Sequence, residues 1–111
     1  MLMIYDDEGE EAAMPEEEIN AIVAAHSGLA RKWRAEGRFL AGDRLQPSAT
    51  ATTVRAIDGK IVMTDGPYAD TKEQLGGFYI IEADNLDQAL ADASAIPSVG
   101  SSIIEVRPVW T

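Results

Sequence analysis

The chain has 111 residues, 46% of them hydrophobic and 25% charged, the balance of one globular domain with a single core. An excess of 19 acidic over 9 basic residues gives a net charge of -10, which repels phosphate backbones and anionic lipids and argues against nucleic-acid or membrane partners. No apolar run approaches the ~20 residues of a membrane span, "MLMIYDDEGE" lacks the pattern of a secretory signal, and zero cysteines exclude disulfides, thiol catalysis and Cys-ligated metals, so a cytoplasmic location is expected.

In chain order, Met1–Tyr5 reads as a short apolar strand and the acidic "DDEGEEAA" after it as a solvated loop. Pro15 suits a first helical position, and Glu16, Glu17 and Glu18 complement the helix dipole. Ile19, Ile22, Val23, Leu29, Ala30 and Trp33 then recur at helical spacing, and Gly37 is placed to end the helix in a left-handed conformation. The helix is predicted over 15–36. Arg38–Leu45 and the β-branched Thr50–Ile57 are predicted strands. Asp58–Gly59 is a strong hairpin signal joining Thr50–Ile57 to Lys60–Thr64.

The stretch "TDGPYADTKEQLGGFYII" packs dense turn chemistry ahead of an apolar segment. Thr71 and Gln74 resemble a helix start, which Gly76–Gly77 closes after about one turn. Gly77–Ala83 is apolar on both faces, as a central strand is. Asp84 or Asn85 can cap a second helix with the stripe Leu86, Ala89, Leu90 and Ala93, stopped by Pro97. Ile103–Val109 is the last strand, with Ile104 and Val106 on one face and Glu105 and Arg107 on the other.

The order β-α-β-(hairpin)-β-α-β predicts an α+β fold, a ferredoxin-like sandwich with an added hairpin. Two helices cover one face of its antiparallel sheet. The bare face calls for a partner, and a second copy in a symmetric homodimer is the simplest one.

His26 is the chain's single histidine. It lies four residues after Ile22 and three before Leu29, on the apolar stripe of the long helix. An imidazole there needs a partner. One reading is a core histidine bonded to a backbone carbonyl; the other is a general acid/base oriented by a carboxylate. Ser27 is turned about 100° away and is no triad serine.

Asp65, in the "TDGPY" turn, is the second candidate. It either bonds its own loop amides or reaches His26. Asp43 and Arg44 end a strand and can pair with each other. Lys72 and Glu73 can stand at a pocket mouth. Trp33 and Trp110 read as packing or interface groups. One histidine excludes a histidine-rich metal site, no spacing marks a Ca²⁺ loop, and no phosphate-binding or dinucleotide glycine pattern occurs, so no cofactor is expected.

"MTDGPYADTKEQLGGFYIIEADNLDQALADASAIP" followed by "IIEVRPVW" resembles the DGPF-domain proteins, a branch of the YCII-related family. "AAHSGLARKWRAEGRFLAGDRLQPSATATTVR" resembles that family's first helix and following hairpin. The likeness covers nearly the whole chain as one domain, 1–111. Tyr68 departs from the phenylalanine of the name-giving motif, and Met14 replaces a frequent capping serine.

The resemblance implies a ferredoxin-like fold of the dimeric α/β-barrel type and a histidine–aspartate catalytic pair. Carried onto this chain, the pair is His26 with Asp65, or with Asp43 as the alternative. The function so implied is a small cofactor-free enzyme performing general acid/base proton transfer on a small organic substrate, with Asp43, Arg44, Tyr68 and Arg107 as substrate-binding candidates. The alternative is a non-catalytic dimeric module that binds a ligand or protein, linked to sigma-factor regulation by analogy with relatives encoded beside sigma factors.

Overall fold

Trp33 and Leu2 are the largest side chains with almost no exposure, and both belong to the one hydrophobic core cluster. The structure is a computed structural model that describes residues 1–97 and 102–111. Leu2–Asp7 forms β1, Glu16–Ala35 the long helix α2, and Phe39–Arg44 the strand β2. Thr52–Ile57 and Lys60–Asp65 are β3 and β4, Glu73–Ile81 is β5, Leu86–Ser94 is α3, and Ile103–Val106 is β6.

Among the described residues, four strands form an antiparallel sheet in the order β2-β5-β1-β6, while β3 and β4 pair only with each other. The mixed α+β arrangement is compatible with a ferredoxin-like fold. Residues opposite each other on antiparallel strands share a sheet face. Leu2 opposes Tyr79 and Val106, and Ile4 opposes Ile104, so these side chains make one face. Ala30 and Trp33 of α2 and Ala93 of α3 close over it, with Ile96 just beyond α3. Both long helices therefore cover the same face, as the element order predicts.

An ion network locks the C-terminal end of α2 to α3. Asp92 accepts from Trp33 Nε1 at 3.3 Å and from the Arg38 guanidinium, whose Nε donates to the Glu82 carbonyl at 2.9 Å. The Asp92 carboxylate bond holds the Arg38 guanidinium pKa above its ordinary value.

Several expectations hold closely. Gly37 is left-handed at φ 73°, Asp58 and Gly59 have φ of 50° and 76° in the hairpin turn, and Asn85 caps α3 by accepting from Gln88 N at 2.9 Å.

Three differ. The acidic stretch is not wholly loop: Asp7 caps a one-turn helix α1 over Glu8–Ala12, accepting from the amides of Gly9 and Glu10. No helix forms at Thr71–Gln74; Gln74 instead donates to the Ala69 and Thr71 carbonyls, and β5 begins at Glu73. Arg44 pairs with Glu11 at 2.6 Å, not with Asp43.

Gly76 and Gly77 also serve a different purpose from closing a helix. A Cβ at Gly76 would lie 2.4 Å from Asp6 Oδ2, and one at Gly77 would lie 3.1 Å from the Asp43 carbonyl oxygen. They let neighbouring strands approach within β5. The β1–β5 register shifts at this point, between Ile4 and Tyr5. The last strand ends at Val106, before Pro108, which lacks the amide a ladder needs.

Candidate functional site

A cavity of about 950 Å³ opens between α2 and the helix-covered sheet face. From α2, Ile19, Ile22, Val23, His26, Ala30 and Arg34 line it in a helical stripe, so the residues that the sequence places on one face do share a wall. Ile4, Phe39 and Tyr79 contribute from the sheet.

His26 is half-buried at this wall. Its Nδ1 lies 2.6 Å from the hydroxyl of Tyr79. The nearby Pro97 carbonyl favours the charged form of the imidazole. The Tyr79 O–H has no other acceptor among the described residues, so it donates to Nδ1, and Nε2 carries the proton of the neutral ring.

Burial is the main influence on His26 and lowers its pKa from 6.5; the Pro97 carbonyl and the Asp6 carboxylate act against this, and Arg44 adds to it. Burial likewise pushes the Tyr79 phenol above 10.0, with the Arg34 charge opposing. Near neutral pH both groups are therefore uncharged, and one proton is shared along one short bond.

Tyr79 is fixed by its surroundings. Trp33 meets its ring edge-on at a centroid distance of 5.0 Å, and Phe39 does so at 6.3 Å. On β2, Gly42 lies opposite it, leaving the ring its space. The phenol has one hydrogen-bond partner among the described residues, His26, so an oxygen lone pair remains for a guest.

The residues singled out in the sequence are distributed unevenly. Arg44 and Asp43 line the cavity, but Asp43 opposes Phe78 and so sits on the sheet face away from Tyr79. Asp65 is exposed at the end of β4, opposite Thr52 and outside the cavity wall. Tyr68 is 80% exposed in the loop after β4. Arg107 follows β6 and pairs with Glu105 at 2.7 Å. The group that holds His26 Nδ1 within the chain is the Tyr79 phenol rather than the Asp65 carboxylate.

Sequence reasoning missed Tyr79 because "GGFYII" reads as uniformly apolar. A signal was present. A tyrosine in a central strand needs a partner for its hydroxyl, as a histidine on an apolar stripe does for its ring. Two such needs on facing elements point to each other. No group of three or more metal-ligating side chains gathers among the described residues, and no helix there is long and apolar enough to cross a membrane.

The YCII-related domain model matches residues 1–111. The chain belongs to the YCII-related family. It is also 39% identical over 112 residues to an uncharacterised protein of Rhizobium meliloti (strain 1021), a match covering 97% of this chain and 89% of that protein. The cavity wall, to which α2, β1, β2 and β5 contribute, lies within the residues that the YCII-related match covers.

Proposed function

We propose that the cavity is the active site of a small enzyme that moves a proton on a small organic substrate. Tyr79 touches the substrate, and His26 takes up the proton behind it. The observation carrying this reading is the 2.6 Å bond between His26 Nδ1 and Tyr79 Oη in the wall of a 950 Å³ cavity.

In the forward step a proton leaves an acidic C–H or O–H of the substrate for Tyr79 Oη. The hydroxyl's own proton passes to His26 Nδ1. Tyr79 stays neutral, which suits a phenol held above its usual pKa by burial. The positive charge appears on His26, where the Pro97 carbonyl and Asp6 favour it. The substrate is left as its conjugate base. Return of the proton to a different atom completes an isomerisation; departure of a leaving group completes an elimination.

The direct test is deuterium uptake. A panel of cyclic and aromatic keto acids, lactones and phenols is incubated with the protein in D₂O and followed by proton NMR. Exchange into at least one compound is expected, falling by ~100-fold or more in Tyr79→Phe and His26→Gln. Exchange that both variants perform as well as the wild type contradicts the assignment.

Arg44 remains a substrate contact in this reading, while Asp43, Asp65, Tyr68 and Arg107 have no role in it. The "TDGPY" turn supports assignment to the DGPF branch of the family. We further propose a homodimer. The β3–β4 register puts Val54, Ala56, Ile61 and Met63 on one face of the hairpin. All four are exposed, Ile61 at 65% and Met63 at 71%. An apolar ribbon of this kind is supported best by a second copy covering it.

A further inference from the structure

Four carboxylates and three guanidinium groups line the cavity, and among the described residues two of those three guanidinium groups have no carboxylate partner. Arg44 is bound by Glu11 at 2.6 Å. Glu8 accepts from the Ser48 amide and hydroxyl at 2.7 and 2.8 Å. Asp6 accepts from the Ser102 hydroxyl at 2.5 Å. Arg31 and Arg34 also line the cavity, and among the described residues neither has a carboxylate within 4.0 Å. In a chain with 19 acidic and 9 basic residues, two neighbouring guanidinium groups without carboxylates are a departure from the general surface.

Their position is also specific. Arg31 and Arg34 are three residues apart and share a helix face. Ala30 and Arg34 continue the stripe from His26 at four-residue steps, so Arg34 lies about 12 Å along the helix from His26. The Arg34 guanidinium stands 4.2 Å from the centre of the Phe39 ring. Phe39 in turn touches Tyr79. A cation, an aromatic surface and the proton-bearing pair therefore follow one another along the same wall.

We propose that the ligand of this cavity is an organic monoanion with a flat apolar body of one or two rings. Its carboxylate or sulfonate meets Arg34, with Arg31 beside it. Its rings lie against Phe39 and Tyr79, and its far end reaches the Tyr79 hydroxyl. The forked guanidinium suits a planar carboxylate, and the apolar wall suits the rings. This assignment rests on the cavity being the substrate site.

The test uses two fluorescent probes that differ by one group: 8-anilinonaphthalene-1-sulfonate and its neutral counterpart N-phenyl-1-naphthylamine. The anion is expected to bind about tenfold more tightly than the neutral probe. Arg34→Gln should remove that preference and leave the neutral probe unchanged. Ile61→Asp, on the exposed hairpin, should leave anion binding unchanged, which separates the cavity from the apolar ribbon. The neutral probe binding as well as the anion, an unaltered preference in Arg34→Gln, or loss of anion binding in Ile61→Asp would each overturn the proposal. Deuterium exchange by Tyr79→Phe reports on the proton-transfer reading separately: a protein that prefers the anion yet shows no Tyr79-dependent exchange retains this ligand class and loses that chemistry.

Discussion

Gly42 is the space that Tyr79 occupies. A Cβ at position 42 would lie 2.5 Å from Tyr79 Cδ1 and 3.0 Å from Cε1. The two residues are direct partners across β2 and β5. The missing side chain on one strand thus sets the ring on the other, and the ring carries the hydroxyl to His26.

Gly42→Ala should therefore destabilise the fold by about 1–3 kcal/mol through overpacking. The penalty should shrink in a Tyr79→Val background, where the obstructing ring is gone. A double-mutant cycle by urea unfolding measures this coupling. Additive effects would mean that the ring can move aside without cost.

Asp92 serves two donors at once, Trp33 Nε1 and the Arg38 guanidinium. Its side chain is only 11% exposed and that of Arg38 16%. Asp92→Ala should cost about 2–4 kcal/mol, since both donors lose a partly buried acceptor. Glu11→Ala breaks the pair with Arg44, which is 62% exposed, and should cost below ~1 kcal/mol. Urea midpoints of the two variants decide the order.

Much of this architecture was legible in the sequence. The stripe Ile19–Trp33, the stop at Gly37 and the Asp58–Gly59 turn are local signals, set by side-chain period and backbone angles. The one-turn α1 is also local, but its acidic residues read equally well as solvated loop. Tyr79 is a different case. Its partner is 53 residues away, and its space comes from a glycine on a neighbouring strand. Strand register decides both relations, and register is a tertiary property. Gly76–Gly77 misled for the same reason: the pair resembles a helix stop, but Asp6 and the Asp43 carbonyl across the sheet explain it.

His26 also predicts a pH dependence. Its folded pKa lies below the unfolded value of 6.5, because burial disfavours the charged ring. Below 6.5 the unfolded chain binds more protons than the folded one. The contribution is then fully present above 6.5 and is lost as pH falls through 6.5 toward the folded pKa. Other acids titrate as well, so the measurement is the difference between wild type and His26→Gln. That difference should narrow in urea unfolding between about pH 7.5 and 5.5; a difference that widens contradicts a lowered pKa.

The hairpin gives an assembly prediction. Ile61→Lys with Met63→Lys should shift sedimentation from dimer toward monomer with an unchanged circular dichroism spectrum, because both side chains are already exposed within the chain. A wild type that sediments as a monomer at all concentrations would refute the homodimer.

The shared proton between His26 and Tyr79 carries the proton-transfer reading, and the chain's single histidine makes it directly observable. Long-range nitrogen–proton NMR of the imidazole should show Nε2 protonated and Nδ1 bare near neutral pH, with a titration midpoint below 6.5. A ring protonated at Nδ1 in its neutral form, or a midpoint above 6.5, would contradict the account.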